Sequence, residues 1–470
     1  MLQSPFQNNI CVAKTKPMKM RIPLLLGIAL FFSLFSTLNP AFANDLTFIT
    51  NAYAVGPAPQ AVAIADINGD GFLDIITPNF SNNTLTVLTN NGHGGFGSNA
   101  TIAVGKEPDF VTAVDINNDG HIDLVSVNFG ASTLTVLTND GRGNFDSNAT
   151  LNVGGGPQMV LAADINGDSK PDLISANINN PSALTIYTNN GKGGFGFNAT
   201  LTVGKGAYWV VAVDITGDGK MDLVAANAGA NTLTVLTNNG IGGFGSNATI
   251  ALGSSPGWLT AVDVNGDGKP DLVCVTGDTF TVLTNNGLGS FGLSTTVNAG
   301  TGVGGGIAAD LKGDGNIDLI SANPGSWPNG GGNTLTVLTN NGTGQFGFNT
   351  TLAVGNAPFG LAAADVNADG KLDLITGNGI DNTVTVLMNT TIFSPATNTP
   401  VLSVISLGNN VSVEWPSTSA GWSLQETVNL TNSNWLPSGF DGWPIADNGT
   451  NKFLTQPVME SNLFFRLLHP

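Results

Sequence analysis

The chain is patterned in short apolar runs separated by polar, glycine-rich turns. In one unit, Phe110 to Asp115 and Leu124 to Asn128 are apolar runs with β-branched residues, Thr133 to Thr138 alternates, and Asn144 to Val153 carries a fourth run. Runs of this length predict strands, and Asn139-Asp140-Gly141 predicts a tight turn between two of them. Seven units follow one another, with 49, 49, 50, 49, 47 and 55 residues between successive starts, and no helical period appears. Four short strands per unit, seven times, predict an all-β fold, a seven-bladed β-propeller.

A solenoid is the general alternative for a repeat, but the ends of this array argue for closure. The last unit has three strands, the third being Thr383 to Asn389, and lacks a fourth. A matching stretch, Phe48 to Gly56, stands alone before the first unit and resembles Phe96 to Gly105. Pairing it with the last unit closes the ring and removes an open sheet edge.

Between its first and second strands each unit carries an oxygen-rich loop. The first copy reads Asp66-Ile-Asn-Gly-Asp-Gly-Phe-Leu-Asp74. Oxygens at positions 1, 3 and 5, a backbone carbonyl at 7 and an acid at 9 suit calcium, and glycine at 6 permits the sharp turn. The expected ligands are Asp66, Asn68, Asp70, the Phe72 carbonyl and Asp74. The second loop offers Asp115, Asn117, Asp119, His121 and Asp123, and the third Asp164, Asn166, Asp168, Lys170 and Asp172. The fourth offers Asp214, Thr216, Asp218, Lys220 and Asp222, and the fifth Asp263, Asn265, Asp267, Lys269 and Asp271. The sixth has Asp310, Asp314, Asn316 and Asp318, and the seventh Asp365, Asn367, Asp369, Lys371 and Asp373. The residue at position 7 acts through its carbonyl. An EF-hand needs an incoming helix and a glutamate at position 12; here strands flank the loop and the last acid stands at 9.

Asp, Asn and Gly also make plain turns, which accounts for one such loop. It does not account for Asp at positions 1, 5 and 9 in all seven, a set of 21 among the 33 acids. Clustered carboxylates repel unless a cation neutralises them. Up to seven calcium ions are expected. Ser169 stands at position 6 of the third loop, where a positive φ is costly, and Thr216 is a weaker ligand at position 3 of the fourth. Lys312 occupies position 3 of the sixth loop, so the site at Asp310 is expected to be the weakest or empty.

Residues 1–43 read as a secretory signal peptide: Lys14, Lys16, Lys19 and Arg21, then an apolar run from Ile22 to Leu38, then Ala41-Phe42-Ala43. Cleavage there removes four basic residues and no acid, leaving 11 basic against 33 acidic residues, a formal charge of −22. This excludes nucleic acid and anionic membrane as natural partners. Cys11 leaves with the leader, so Cys274 has no disulfide partner, and metal becomes the expected brace of a secreted chain. The expected location is extracellular or cell-surface, without membrane insertion after cleavage, as a monomer.

With both motifs placed, the unit resembles the FG-GAP (VCBS) repeat, the blade of integrin α-subunit propellers and of many exported bacterial proteins. The matching marks are Phe96-Gly97, Phe195-Gly196, Phe244-Gly245, Phe291-Gly292 and Phe346-Gly347, each in phase with the next acidic loop; Phe145-Asp146 departs. The resemblance implies calcium between the first and second strands of each blade, and little about the partner.

Candidate chemistry beyond calcium is sparse. The histidines are His93, His121 and His469, and no catalytic triad or zinc spacing is evident. Gly92 to Gly97 and Gly191 to Gly196 match G-x-G-x-x-G but lie between strands, so they are hairpins. Five residues before the loop Asp, successive units carry Ala61, Phe110, Met159, Trp209, Trp258, Gly305 and Gly360; Tyr208 and Phe359 flank this row, and Trp327 lies in the longest inter-strand loop. Phe110, Tyr208, Trp209, Trp258, Trp327 and Phe359 are therefore candidate ligand-binding residues, against the plainer role of packing near the channel mouth. After a propeller over 44–393, residues 394–400 form a linker and 401–470 a small β-sandwich-like module. The S-V-E-W-P…F-F-R-L pattern of this module looks like C-terminal modules of exported proteins of verrucomicrobial-type bacteria. The expected function is non-catalytic binding or adhesion to an extracellular protein or glycan; a lectin using Tyr208, Trp209 and Trp258, and a polysaccharide-acting propeller enzyme, are the alternatives.

Overall fold

A computed structural model describes residues 10–11, 46–325, 331–391 and, farther on, the strands of the C-terminal region. The chain divides into two compact units, Asp45–Ile392 and the combination of Met1–Asn44 with Phe393–Pro470. Among the described residues there is no helix.

The first unit is a ring of seven four-stranded antiparallel sheets, called blades 1 to 7 in chain order. Blade 2 is typical: Pro108–Val114, Asp123–Asn128, Thr133–Asn139 and Phe145–Asn152, paired in that order. Blade 7 takes its fourth strand from the front of the chain. Phe48–Ala54 pairs with Thr383–Asn389, from Phe48 opposite Asn389 to Ala54 opposite Thr383. The ring is thus closed as the unpaired N-terminal stretch predicts. At this seam Gly360 is required by close approach: a Cβ there would overlap the Ala61 backbone of blade 1.

The second strand of every blade is buried along its whole length, because both of its faces meet neighbouring blades. That explains its apolar run, whereas the outer fourth strand alternates towards solvent. The core is seven inter-blade clusters rather than one centre. Between blades 1 and 2, for example, Ile67, Ile76, Leu85 and Val87 meet Val111, Leu124 and Leu137.

In the second unit the strands form two four-stranded sheets. One orders Ser403–Leu407, Asn410–Pro416, Asn451–Pro457 and Ala446–Asp447; the other joins Ile10–Cys11, Phe464–Leu468, Ser423–Thr427 and Leu436–Pro437. Val413, Trp415, Leu424 and Leu454 are buried there.

Candidate functional site

The acidic loops all lie at one end of the ring, where the first strands finish. In the first loop Asp66 gathers backbone amides: Oδ1 accepts from Gly69 N–H (2.8 Å) and Oδ2 from Gly71 N–H (2.9 Å). Asn68 Oδ1 accepts from Asp70 N–H and Asp70 Oδ1 from Phe72 N–H, each at 2.9 Å. These side-chain-to-backbone bonds coil the loop without a helix or ladder. Position 6 has φ of 88° at Gly71 and 62° at Ser169, so the serine holds the left-handed backbone that the sequence predicts to be costly.

Position 9 differs from positions 1 and 5. Asp74 is fully buried; its Oδ2 accepts from Ile67 N–H (3.2 Å) and its Oδ1 from Asn90 N–H (2.8 Å). Burial pushes its carboxyl up to about 6; the two amides pull it down, while Asp70 and Asp66 push it further up. Asp373 reaches about 6 in the same way, and Asp123, Asp172, Asp222 and Asp271 are raised by the same causes. In all of these the position-1 and position-5 charges act on the position-9 acid. Among the described residues, no three His, Cys, Asp or Glu side chains converge closely enough to form a metal-holding group.

The sixth loop stands apart because Lys312 Nζ lies 3.0 Å from Asp314 Oδ2. Burial pushes Asp318 up to about 7, yet here the Lys312 charge pulls against it, an influence that the position-9 acids of the other loops lack. The lysines at position 7 do less. Lys170, Lys220, Lys269 and Lys371 pair with the position-5 acid of their own loops at 3.1, 2.9, 3.5 and 3.4 Å, near solvent.

A second constellation is not evident in the turn pattern. The asparagine ending each third strand is buried and bolts its blade to the one before. Asn139 Nδ2 donates to the Ile67 carbonyl of blade 1 (2.7 Å) and to Ile122 of its own loop (2.8 Å). The inter-blade bond recurs from Asn189 to Ile116, Asn238 to Ile165, Asn285 to Ile215, Asn340 to Val264, Asn389 to Leu311 and, across the seam, Asn90 to Val366. Its signal is the recurrent L-T-N ending, which as sequence reads only as a turn entry; blade 3 ends Tyr187-Thr188-Asn189 and blade 7 Leu387-Met388-Asn389, and both keep the asparagine.

The other end of the channel carries the candidate aromatics. Phe110 of blade 2 meets Trp209 of blade 4 edge-on, ring centroids 5.5 Å apart, with Met159 of blade 3 packed between them. Trp258 is 9% exposed and packs edge-on against Phe280 at 6.2 Å, with Trp209 beside it. These three rings thus pack on one another and on the inter-blade core, which is the packing role. Tyr208 and Phe359 are half-buried above them. Trp327 lies outside the described residues.

A family model of the FG-GAP-like repeat matches six overlapping stretches, 66–126, 115–175, 164–225, 214–274, 263–321 and 310–376. The chain belongs to the FG-GAP-like repeat family. No curated protein sequence matches this FG-GAP chain. Among solved structures, BBS1N in complex with ARL6DN aligns with a TM-score of 0.54 at 12% identity, over 75% of this chain and 98% of that one. A lectin from Agrocybe aegerita that recognises non-reducing terminal N-acetylglucosamine aligns at 0.49 and 20% identity, over 74% and 97%. The Pseudomonas aeruginosa periplasmic gluconolactonase PpgL aligns at 0.49 and 14%, over 66% and 88%. The first shows the fold alone, and the other two carry no inference about this chain.

Proposed function

We propose that this FG-GAP propeller is an exported, calcium-braced, monomeric binding protein, non-catalytic, that engages an extracellular protein or glycan at the channel mouth away from the acidic loops. The observation that carries this reading is the contrast between the two ends. The loop end repeats one arrangement, whereas the mouth presents Gln60, Asp109, Gln158, Tyr208, Gly257, Gly304 and Phe359 at equivalent positions. Repetition serves the ring; departure from repetition is where a partner is read.

Calcium fits the loops by donor chemistry. Positions 1, 3, 5, 7 and 9 supply only hard oxygens in six loops, and the position-9 acid is under repulsion from two others. Bound there, the ion would supply charge neutralisation and a cross-link between the two inner strands. The sixth loop fits less well, because Lys312 removes a ligand and brings its own charge.

A polysaccharide-acting enzyme would need an acid and a base converging on the channel. The bulge residues Asp109 and Tyr208 stand there, and burial pushes the Asp109 carboxyl up to about 7 and the Tyr208 hydroxyl up to about 12. Asp109 is the one acid among the seven equivalent mouth positions, with no second carboxylate at those positions to pair with it, and this supports recognition over acid–base catalysis. In the lectin alternative Tyr208 remains available at the mouth, while Trp209 and Trp258 are engaged with other rings. The test is capture by immobilised, calcium-loaded protein on glycan and extracellular-protein arrays. Saturable binding without turnover is expected; release of product from any polysaccharide by purified protein would replace this reading with an enzymatic one.

A further inference from the structure

We propose that the channel mouth opposite the acidic loops binds an organic cation, an alkylammonium or guanidinium group, held by the Asp109 carboxylate beside Tyr208 and above the Phe110–Trp209 ring pair. The inference rests on the binding reading above and gives that site its chemistry.

The geometry begins with a bulge. In blade 2 the register shifts between Pro108, opposite Asn128, and Phe110, opposite Val127, so Asp109 is the extra residue. The same shift makes Gln158 the extra residue of blade 3 and Tyr208 that of blade 4. A bulge turns a side chain off the pleat and is a common device for aiming one into a site. Each bulge lies at the start of the innermost strand, at the channel mouth. Blades 2 and 4 are not neighbours, so the contact of Phe110 with Trp209 is made across blade 3, at the channel wall. Asp109 and Tyr208 are the residues immediately before that pair, and the charge of Asp109 is felt at the Tyr208 hydroxyl.

The Asp109 carboxyl makes no hydrogen bond or ion pair with any described residue, unlike the position-9 acids, each of which takes two backbone amides. The basic residue nearest in sequence, Lys106, is paired with Glu107 at 3.2 Å. Burial holds the Asp109 carboxyl up to about 7, a sign that its charge lacks compensation. A ligand ammonium or guanidinium supplies the missing charge, and the aromatic rings around it add cation–π attraction. A neutral polyol would satisfy the hydrogen bonds of Tyr208 but leave the carboxylate uncompensated.

The experiment titrates the calcium-loaded full chain with N-acetyl-lysine methylamide and N-acetyl-arginine methylamide, read by tryptophan fluorescence and calorimetry. N-acetyl-norleucine methylamide and methyl glucoside are the neutral probes. Saturable binding of either cation is expected, with no response to norleucine, and Asp109→Asn should weaken it at least about tenfold in a protein whose melting is unimpaired. Tyr208→Phe, which keeps the ring, should weaken it less. Absence of cation binding by folded protein, or binding unchanged in Asp109→Asn, overturns the proposal. If methyl glucoside binds instead and Asp109→Asn leaves it intact, the cation chemistry falls while the binding reading stands. If the arrays above are also silent, both fall.

Discussion

At one end of the propeller, seven loops place Asp at the same three positions and hold it with the same amide bonds. At the other, the corresponding bulge residue is acidic in blade 2, an amide in blade 3, a phenol in blade 4 and glycine in blade 5. The charges also differ in kind. The position-9 acids are buried but each takes two backbone amides, and their cost is spread over seven loops. Asp109 is a single half-buried acid with no described partner. A feature repeated in phase is answerable to the ring; a feature found once is free to answer to a ligand.

The largest effect should separate the two ends outright. Chelating calcium should lower the melting temperature, with stability falling by about 0.4–1.5 kcal/mol per occupied loop at millimolar calcium for dissociation constants of roughly 10⁻⁴–10⁻³ M. A melting temperature indifferent to chelator would show that the loops are held by their amide bonds alone. Next comes the asparagine ring. Asn238→Ala removes donors from the buried Ile165 carbonyl and the partly buried Met221 carbonyl and should destabilise by about 2–3 kcal/mol, with or without calcium. A loss below about 0.5 kcal/mol in denaturant titration would deny the ring its bolting role.

At the mouth the sign reverses. Asp109 has its carboxyl raised to about 7, so its contribution to stability is present below the unfolded value and is lost as pH rises through about 7. Tyr208 is the titratable neighbour and stays neutral over this range. Asp109→Asn should therefore stabilise the protein at pH 8 by about 1–2 kcal/mol, with the gain shrinking towards pH 4. Thermal melts of both proteins at the two pH values decide it, and a variant less stable at pH 8 would mean that Asp109 is already compensated.

Two smaller effects probe inequality among the loops. Lys312→Asn restores a position-3 oxygen, so calcium titration should count one more site. Without calcium the same change should destabilise slightly, because Asp314 and Asp318 lose their nearby charge. An unchanged stoichiometry would show that the sixth loop already binds like the rest. Ser169→Gly should relieve the left-handed serine and stabilise by about 0.5–1 kcal/mol, visible as a shift of the denaturant midpoint.

Blade number, strand order and closure by Phe48–Ala54 were all legible, because a repeat states its own period and an orphan strand states its own partner. The position of the acidic loop between the first and second strands of each blade was legible for the same reason. The asparagine ring was not, since Asn139 before Asp140-Gly141 has the composition of an ordinary turn. Only the stacking of blades shows its amide reaching Ile67 in the preceding blade. Asp109 escaped for another reason. It is one acid among 33, outside any motif, and neither bulge nor channel can be read along a strand.

The sequence by itself determined what is local and periodic: strands from apolar alternation, turns from glycine, oxygen-rich loops from spaced acids. Tertiary structure decided what depends on meetings between distant blades. It brought Phe110, Trp209 and Trp258, spread along the chain, into one set of packed rings. It also gave Asp109 and Tyr208, ninety-nine positions apart in the chain, bulges whose next residues, Phe110 and Trp209, are in ring contact. The physical reason is that burial and charge compensation are properties of a place, and a propeller assembles each place around its axis from several blades at once.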